Sequence, residues 1–364
     1  LTFDEYFNQS RGGAKVSTVA GIPVSTGIRW GIIGCGNVTE VKSGPAYQQT
    51  AGFSLHAVMR RDAVKAEDYA RRHQVPLWFS DADELIQHPE IDAVYIATPP
   101  DSHLFYALKV AAAGKICCVE KPMALNAEEC TQMVAAFEQA GKPLFVAYYR
   151  RSLPRFVQVQ QWVQQGLIGS VRHVHWAFSR QPNLADQSGQ ANWRTDPAQA
   201  GGGYFVDLAS HGLDLLMYLL GDINQVQGIA LNQQGLYAAE DAVTACWLFA
   251  PQADGSTASG SGFWNFAADT RRDEVEIIGS LGTIRFSVFD EQPVQLTTVT
   301  NLASNTATNS ISLHIDHPPH IQQFHVENIA KTLAGQGQHP STGDTAQRAT
   351  AVMAQILGNS TVNK

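Results

Sequence analysis

Three side chains in this sequence have types and surroundings suited to proton transfer: Lys121, Asp207 and His211. Lys121 lies in Glu120-Lys121-Pro122, directly after the apolar run Ile116 to Val119, which reads as a strand. Ligands of open α/β sheets bind outside the carboxyl ends of the strands, so a lysine there can reach a reacting oxygen, and Pro122 should fix its approach. A lysine at a strand end is otherwise an ordinary solvated residue. Asp207 and His211 are four residues apart in a segment that predicts a helix over 204–220, which places them on one face. A carboxylate one turn before a histidine orients the imidazole, fixes its tautomer and raises its pKa. An acidic helix start beside a core-edge histidine explains the same spacing structurally. Interconversion of a carbinol and a carbonyl needs such a proton donor or acceptor next to a hydride carrier.

A hydride carrier has a candidate seat. Gly34-Cys35-Gly36 follows the apolar run Ile28 to Ile33 and precedes a helix, the context expected of a dinucleotide turn. The first glycine permits the tight turn, and the second lets the backbone approach a pyrophosphate at the helix start, beside Gly34, Gly36, Asn37 and Val38. Glycines at strand ends also serve turns with no ligand. The third position of the pattern, normally Gly or Ala, is Thr39, which departs from the closest helix–strand packing. The second strand ends in Met59-Arg60-Arg61-Asp62. Guanidiniums at that point suit the 2′-phosphate of NADP, whereas NAD sites use a carboxylate on the ribose. Arg60 and Arg61 therefore favour NADP, Asp62 keeps NAD open, and solvated arginines at a helix start are the plain alternative. The histidines His314, His317, His320 and His325 are interrupted by Pro318 and Pro319, so they read as a solvated helix start and no metal site is expected.

The elements that must position these residues follow from hydrophobic period. Strand-type and helix-type segments alternate from Ile28 to Ala147, the pattern of an α/β domain with a doubly wound parallel sheet, assigned to residues 28–148. Helices are predicted over 63–73, 83–88, 103–113 and 128–140. Strands are predicted at Phe53 to Val58, Ala93 to Ala97, Ile116 to Val119 and Leu144 to Ala147. After Tyr149 two helical stretches, 155–165 and 204–220, are interleaved with strands at 171–178, 226–231, 242–249, 274–278 and 284–289. Strands without intervening helices predict an α+β domain with a large, mostly antiparallel open sheet over 149–364, closed by helices at 321–333 and 345–357. Residues 1–27, polar and rich in Gly, Ser and Thr, read as an N-terminal arm or a remnant foreign to the fold.

Composition narrows the function classes. The chain has 364 residues, 44% hydrophobic and 16% charged, enough for two cores. A net charge of −8 argues against a nucleic-acid partner. No apolar run is long enough to span a membrane. Five cysteines without paired spacing suggest free thiols in a reducing compartment, hence the cytoplasm.

Taken together, the glycine turn, Ala97-Thr98-Pro99-Pro100 with His103, Glu120-Lys121-Pro122, and Trp193-Arg194 before Gly201-Gly202-Gly203, Asp207 and His211 resemble the glucose-fructose oxidoreductase/inositol dehydrogenase (Gfo/Idh/MocA) family. The resemblance implies an NAD(P)-dependent oxidoreductase acting on CH–OH groups of a sugar or polyol. It implies that Lys121 contacts the reacting oxygen and the cofactor, that Asp207 positions substrate and that His211 exchanges the proton. It further implies that Thr98, Pro99, His103 and Glu120 border the nicotinamide side of the cleft, and that the second sheet is a homo-oligomer interface forming a dimer or tetramer. Arg150, Arg151, Trp193 and Arg194 are candidates to line a sugar-sized pocket. Two other readings remain on sequence: a non-catalytic dinucleotide or sugar sensor binding a partner protein, and an enzyme with permanently bound cofactor that uses transient oxidation for elimination or glycoside cleavage.

Overall fold

The structure, a computed structural model, describes residues 27–299 and 308–358. Apart from Gly27, the arm expected over 1–27 lies outside the described residues. Six parallel strands build the first sheet: β1 (Ile28–Ile33), β2 (Phe53–Met59), β3 (Leu77–Phe79), β4 (Ala93–Ile96), β5 (Ile116–Val119) and β6 (Leu144–Val146), in the order β3-β2-β1-β4-β5-β6. Every residue of β4, β5 and β6 is buried. That is why these strands read as unbroken apolar runs, since helices cover both faces of a parallel sheet. The covering helices are α1 (Asn37–Val41), α2 (Gly44–Gln49), α3 (Ala63–His73), α4 (Ala82–Gln87), α5 (His103–Ala112) and α6 (Ala127–Ala140). Local chemistry sets their ends. Asp62 caps α3 by accepting from the Lys65 amide, and α6 runs from an Asn126 cap to Gly141 at φ 60°. The three-residue β3 is absent from the sequence reading because it is too short to show a period.

The second sheet has eight strands: β7 (Val171–Ser179), β8 (Ile223–Leu231), β9 (Ala242–Phe249), β10 (Ser259–Asn265), β11 (Arg272–Gly279), β12 (Gly282–Phe286), β13 (Val294–Val299) and β14 (Thr308–Leu313), in the order β14-β13-β12-β11-β7-β10-β9-β8. It is antiparallel except at β7–β10. The strand β10 escapes sequence reading because Gly260 and Gly262 look like loop. Packing requires them: a Cβ on Gly260 would lie 2.1 Å from Trp247 Nε1, and one on Gly262 2.8 Å from Trp264 Cη2. On the inner face Trp176 and Trp264 meet edge to face at 5.3 Å. Against that face lie α7 (Pro154–Gln164) and α10 (Ser210–Leu220), where Gly212 lets α10 close onto Trp176. The short helices α8 (Leu184–Gln187) and α9 (Pro197–Ala200) lie in the excursion between β7 and α10.

The chain's end packs against the first sheet as well as the second. In α11 (Gln323–Leu333), Val326 and Ile329 are buried in the cluster of Trp30, Tyr47 and Tyr95. Ahead of α12 (Gly343–Gly358), Thr342 bridges to Phe145 of β6. Apolar contact decides this, because α11 presents its buried face to the parallel sheet. His325 departs from the expectation of a solvated helix start: it is fully buried. Its ring meets His339 edge to face at 4.7 Å, and its Nε2 lies 3.6 Å from Cys118 Sγ.

Burial pushes the His325 pKa well below the usual value and that of His339 to about 4. Unfolded histidines titrate near pH ~6.5. Between that pH and about 4 the unfolded chain binds protons that the folded chain refuses, so stability falls as pH falls. The thermal midpoint should therefore drop steadily from pH 7 to pH 5 in calorimetry, and a flat profile across that window would contradict the burial of this histidine pair.

Candidate active site

At the carboxyl end of β5, Lys121 is joined to Pro122 by a cis peptide and reaches across to the second domain. Its Nζ donates to Asp207 Oδ1 at 2.6 Å and to the Asp207 carbonyl at 2.8 Å. The two side chains are only 12% and 13% exposed. Burial would raise the Asp207 pKa, but Lys121 and then Arg194 and Arg180 outweigh it and hold the carboxyl below its ordinary value. Arg194 Nε lies 3.4 Å from Asp207 Oδ2, and its guanidinium stacks 4.4 Å from the Trp193 ring centroid.

The expected Asp207–His211 pairing does not form. Phe205–Ala209 winds as a π-helical turn before α10 begins. This wider turn, with i→i+5 hydrogen bonds, changes the angle between side chains four apart and is frequent at functional sites. It sends Asp207 to Lys121 rather than to the imidazole. His211 is buried among Tyr149, Tyr148 and Phe289, with ring centroids at 5.5, 6.3 and 5.8 Å, and its Nδ1 has no partner among the described residues. Its pKa moves opposite to the sequence expectation: burial, then the cations of Arg150, Lys121 and Lys42, push it well below the ordinary value. His211 is thus neutral near pH 7. The turn itself needs its glycines, since a Cβ on Gly203 would lie 2.8 Å from both Ala239 Cβ and the Glu240 carbonyl.

Arg150 and Arg151, neighbours in sequence, divide. Arg150 donates from Nε to the Val288 carbonyl at 2.9 Å, lies 4.5 Å from the Phe289 centroid, and has a buried Nη1 without a partner among the described residues. It faces the same enclosure as His211. Arg151 instead grips the buried Asp214 at 2.8 and 2.6 Å, a structural ion pair rather than a pocket lining.

Glu120 and His103 stand behind the cleft. Glu120 Oε1 accepts from Tyr95 at 2.5 Å and Gln322 at 2.7 Å, and Oε2 accepts from the Lys121 amide at 3.1 Å. His103, with no exposed surface, sets Nε2 against the Thr98 carbonyl at 2.8 Å and Nδ1 against the Pro122 carbonyl at 3.0 Å. Both brace the Lys121–Pro122 loop, while Thr98 and Pro99 are half-buried beside the glycine turn. Sequence reading missed Gln322, whose partner Glu120 is over two hundred positions away, and Tyr149 and Phe289, which carry no motif.

The glycine turn fits a dinucleotide. Gly34 has φ +88°, and a Cβ there would lie 2.7 Å from Thr98 Cγ2. A Cβ on Gly36 would meet nothing nearer than the Gly34 carbonyl at 3.8 Å, so the space beside this backbone is open. Thr39 answers its departure from the pattern: fully buried, its Oγ1 accepts from the Gly36 amide at 3.0 Å and donates to the Gly36 carbonyl at 2.9 Å. Asn37 is exposed and Val38 half-buried at the start of α1. At the end of β2, Arg60 Nη1 donates to the Cys35 carbonyl at 3.3 Å, Arg61 is exposed, and Asp62 is engaged as the cap of α3 and with Lys65 at 3.1 Å.

Residues 28–148 match the oxidoreductase family with an NAD-binding Rossmann fold, and residues 156–285 match the GFO/IDH/MocA C-terminal domain. The chain belongs to this family. It is 36% identical over 333 residues to Oxidoreductase P35 of Formosa agariphila, covering 91% of this chain and 98% of the relative. It is 26% identical to 1,5-anhydro-D-fructose reductase of Ensifer adhaerens, covering 87% and 91%. Its fold superposes on levoglucosan dehydrogenase, solved in complex with NADH and levoglucosan, with a TM-score of 0.77 at 20% identity, covering 92% of this chain and 97% of the other.

If the interdomain pair serves chemistry, Asp207→Asn should lower kcat by about a hundredfold or more, the usual effect of losing an oriented charge at a reacting centre. Cofactor affinity, read by fluorescence titration, should stay within a few-fold. A parallel loss of cofactor binding would reassign the pair to holding the domains together.

Proposed function

We propose that this NAD(P)-dependent dehydrogenase or reductase of CH–OH groups interconverts a secondary alcohol and ketone on a sugar or polyol, with NADP(H) as its preferred cofactor. One observation carries the reading: Lys121, at the carboxyl end of a Rossmann strand, is held by Asp207 of the other domain, beside a neutral, buried His211. The bound dinucleotide would supply the hydride acceptor or donor, held by Gly34, Gly36, Asn37 and Val38 with Thr98 and Pro99 alongside. In oxidation His211 takes the hydroxyl proton, its ring being unprotonated and so free to accept near neutral pH. Lys121 stabilises negative charge developing on the same oxygen, and Asp207 fixes where its ammonium points. Arg150, Trp193 and Arg194 supply donors and an aromatic surface to a hydroxylated substrate. NADP is favoured because Arg60 and Arg61 lie at the end of β2 while the nearby carboxylate of Asp62 is already engaged.

Two further parts of the reading concern the molecule's surroundings. The outer face of the second sheet exposes Ile229, Leu231, Leu248 and Ile278, and apolar side chains grouped on one face suit a homo-oligomer interface. Leu248→Asp should convert the oligomer to a monomer in light scattering, and an unchanged mass would remove this face from consideration. The cysteines are all free, four of them buried, in keeping with a reducing cytoplasm. Among the described residues no helix is long and apolar enough to cross a membrane.

The deciding experiment is a panel of sugars, polyols and their keto forms with NADP and NAD in parallel, followed by nicotinamide absorbance. Lys121→Ala and His211→Ala should each abolish turnover with cofactor binding nearly intact. Clear preference for NAD would overturn the roles of Arg60 and Arg61.

A further inference from the structure

Arg180, immediately after β7, has no part in the reaction proposed above beyond its field at Asp207. Its guanidinium lies 4.2 Å from the Tyr204 centroid and 5.5 Å from that of Phe266. Nε and Nη2 are shielded from solvent and have no partner among the described residues. These two nitrogens form one edge of the guanidinium, and elsewhere in this chain the same edge is a carboxylate clamp. Arg151 takes Asp214 with it at 2.8 and 2.6 Å, and Arg29 takes Asp92 at 3.0 and 3.0 Å. A buried donor edge of a cation left unpaired is costly, and such groups in native proteins are normally matched.

The nearby carboxylates are already matched to other groups. Asp186 accepts from Tyr204 at 2.5 Å and from Asn192 at 3.1 Å, while Asp207 holds Lys121 and meets Arg194. Tyr204, on which Arg180 lies, directly precedes the Phe205–Ala209 turn that carries Asp207, and Arg180 is among the cations that hold the Asp207 carboxyl below its ordinary value. Lys121, Arg180 and Arg194 thus gather about the carboxylate of Asp207, with Arg150 on the Phe289 ring beside His211, in a chain of net charge −8. Local cationic excess in an acidic protein concentrates an anionic ligand.

We propose, resting on the alcohol–ketone reaction above, that the substrate class is a polyhydroxylated carboxylic acid of the uronic or aldonic type. Its carboxylate is taken bidentately by Nε and Nη2 of Arg180, with Arg194 beside it, while its carbinol end lies at Lys121 and His211. Because the edge is shielded, taking up the acid turns the guanidinium across the Tyr204 ring on which it lies.

The test compares D-glucuronate, D-galacturonate and D-gluconate with D-glucose, D-galactose and D-glucitol, in steady-state kinetics and in calorimetric binding to the cofactor-loaded enzyme. At least one acid should be preferred over its neutral counterpart by about tenfold or more, through KM and binding constant. Arg180→Gln should erase that preference, weakening the acid by roughly 10–100-fold, the usual worth of a charge-assisted bidentate contact. It should leave cofactor affinity unchanged, and Arg180→Lys should restore part of the preference, which also shows that the site still folds. Neutral compounds used as readily as the acids, no binding of any of the three acids, or an acid preference that survives Arg180→Gln would each overturn the assignment. Acid binding through Arg180 without oxidation of any alcohol would instead sink the proposed reaction while leaving this inference standing.

Discussion

The ion pair between Lys121 and Asp207 is the constraint around which this molecule is arranged. Its two halves come from different domains and meet at 2.6 Å with little exposure to solvent. Taking both charges out of water carries a desolvation cost that only close geometry and further hydrogen bonds can offset. Here the second bond from Nζ to the Asp207 carbonyl and the approach of Arg194 supply that compensation. A pair that is marginal for stability but fixed in position is well suited to orienting a reacting oxygen.

Much of the surrounding structure keeps that lysine in place. Glu120 accepts the Lys121 amide while Tyr95 and Gln322 hold its other oxygen, so the segment leading into α11 is tied to the end of β5. His103 clasps the carbonyls of Thr98 and Pro122 from beneath. On the other side the π-helical turn at Phe205–Ala209 sets the reach of Asp207, and the triple glycine ahead of it lets the turn pack against Ala239 and Glu240. The return of α11 to the first domain also explains why His325 lies in a dry core, where a charged imidazole is disfavoured.

Electrostatics then sort the ionisable groups by role. Burial and the cations of Arg150, Lys121 and Lys42 keep His211 neutral, whereas Lys121, shared between the two, joins Arg194 and Arg180 in keeping Asp207 ionised. Divergent environments of this kind are how one enclosure holds both a base and a fixed anion at one pH. Arg151, one residue from Arg150, is removed from the enclosure altogether because Asp214 captures it in the core.

Local pattern alone determined a good deal about this protein. The glycine turn after β1, the alternation of strands and helices to Ala147, the lysine at the end of β5 and the helix ends at Asp62 and Gly141 all follow from hydrophobic period, turn stereochemistry and capping. These are interactions between residues a few positions apart, and they survive without knowledge of the rest of the chain. Tertiary structure decided the remainder. The choice of Lys121 over His211 as partner for Asp207, the parallel junction of β7 with β10, the burial of His325, the anchoring of Glu120 by Gln322 and the unpaired edge of Arg180 each depend on surfaces brought together from distant segments. A side chain's charge, exposure and partner are properties of that meeting, and spacing along the sequence does not encode them.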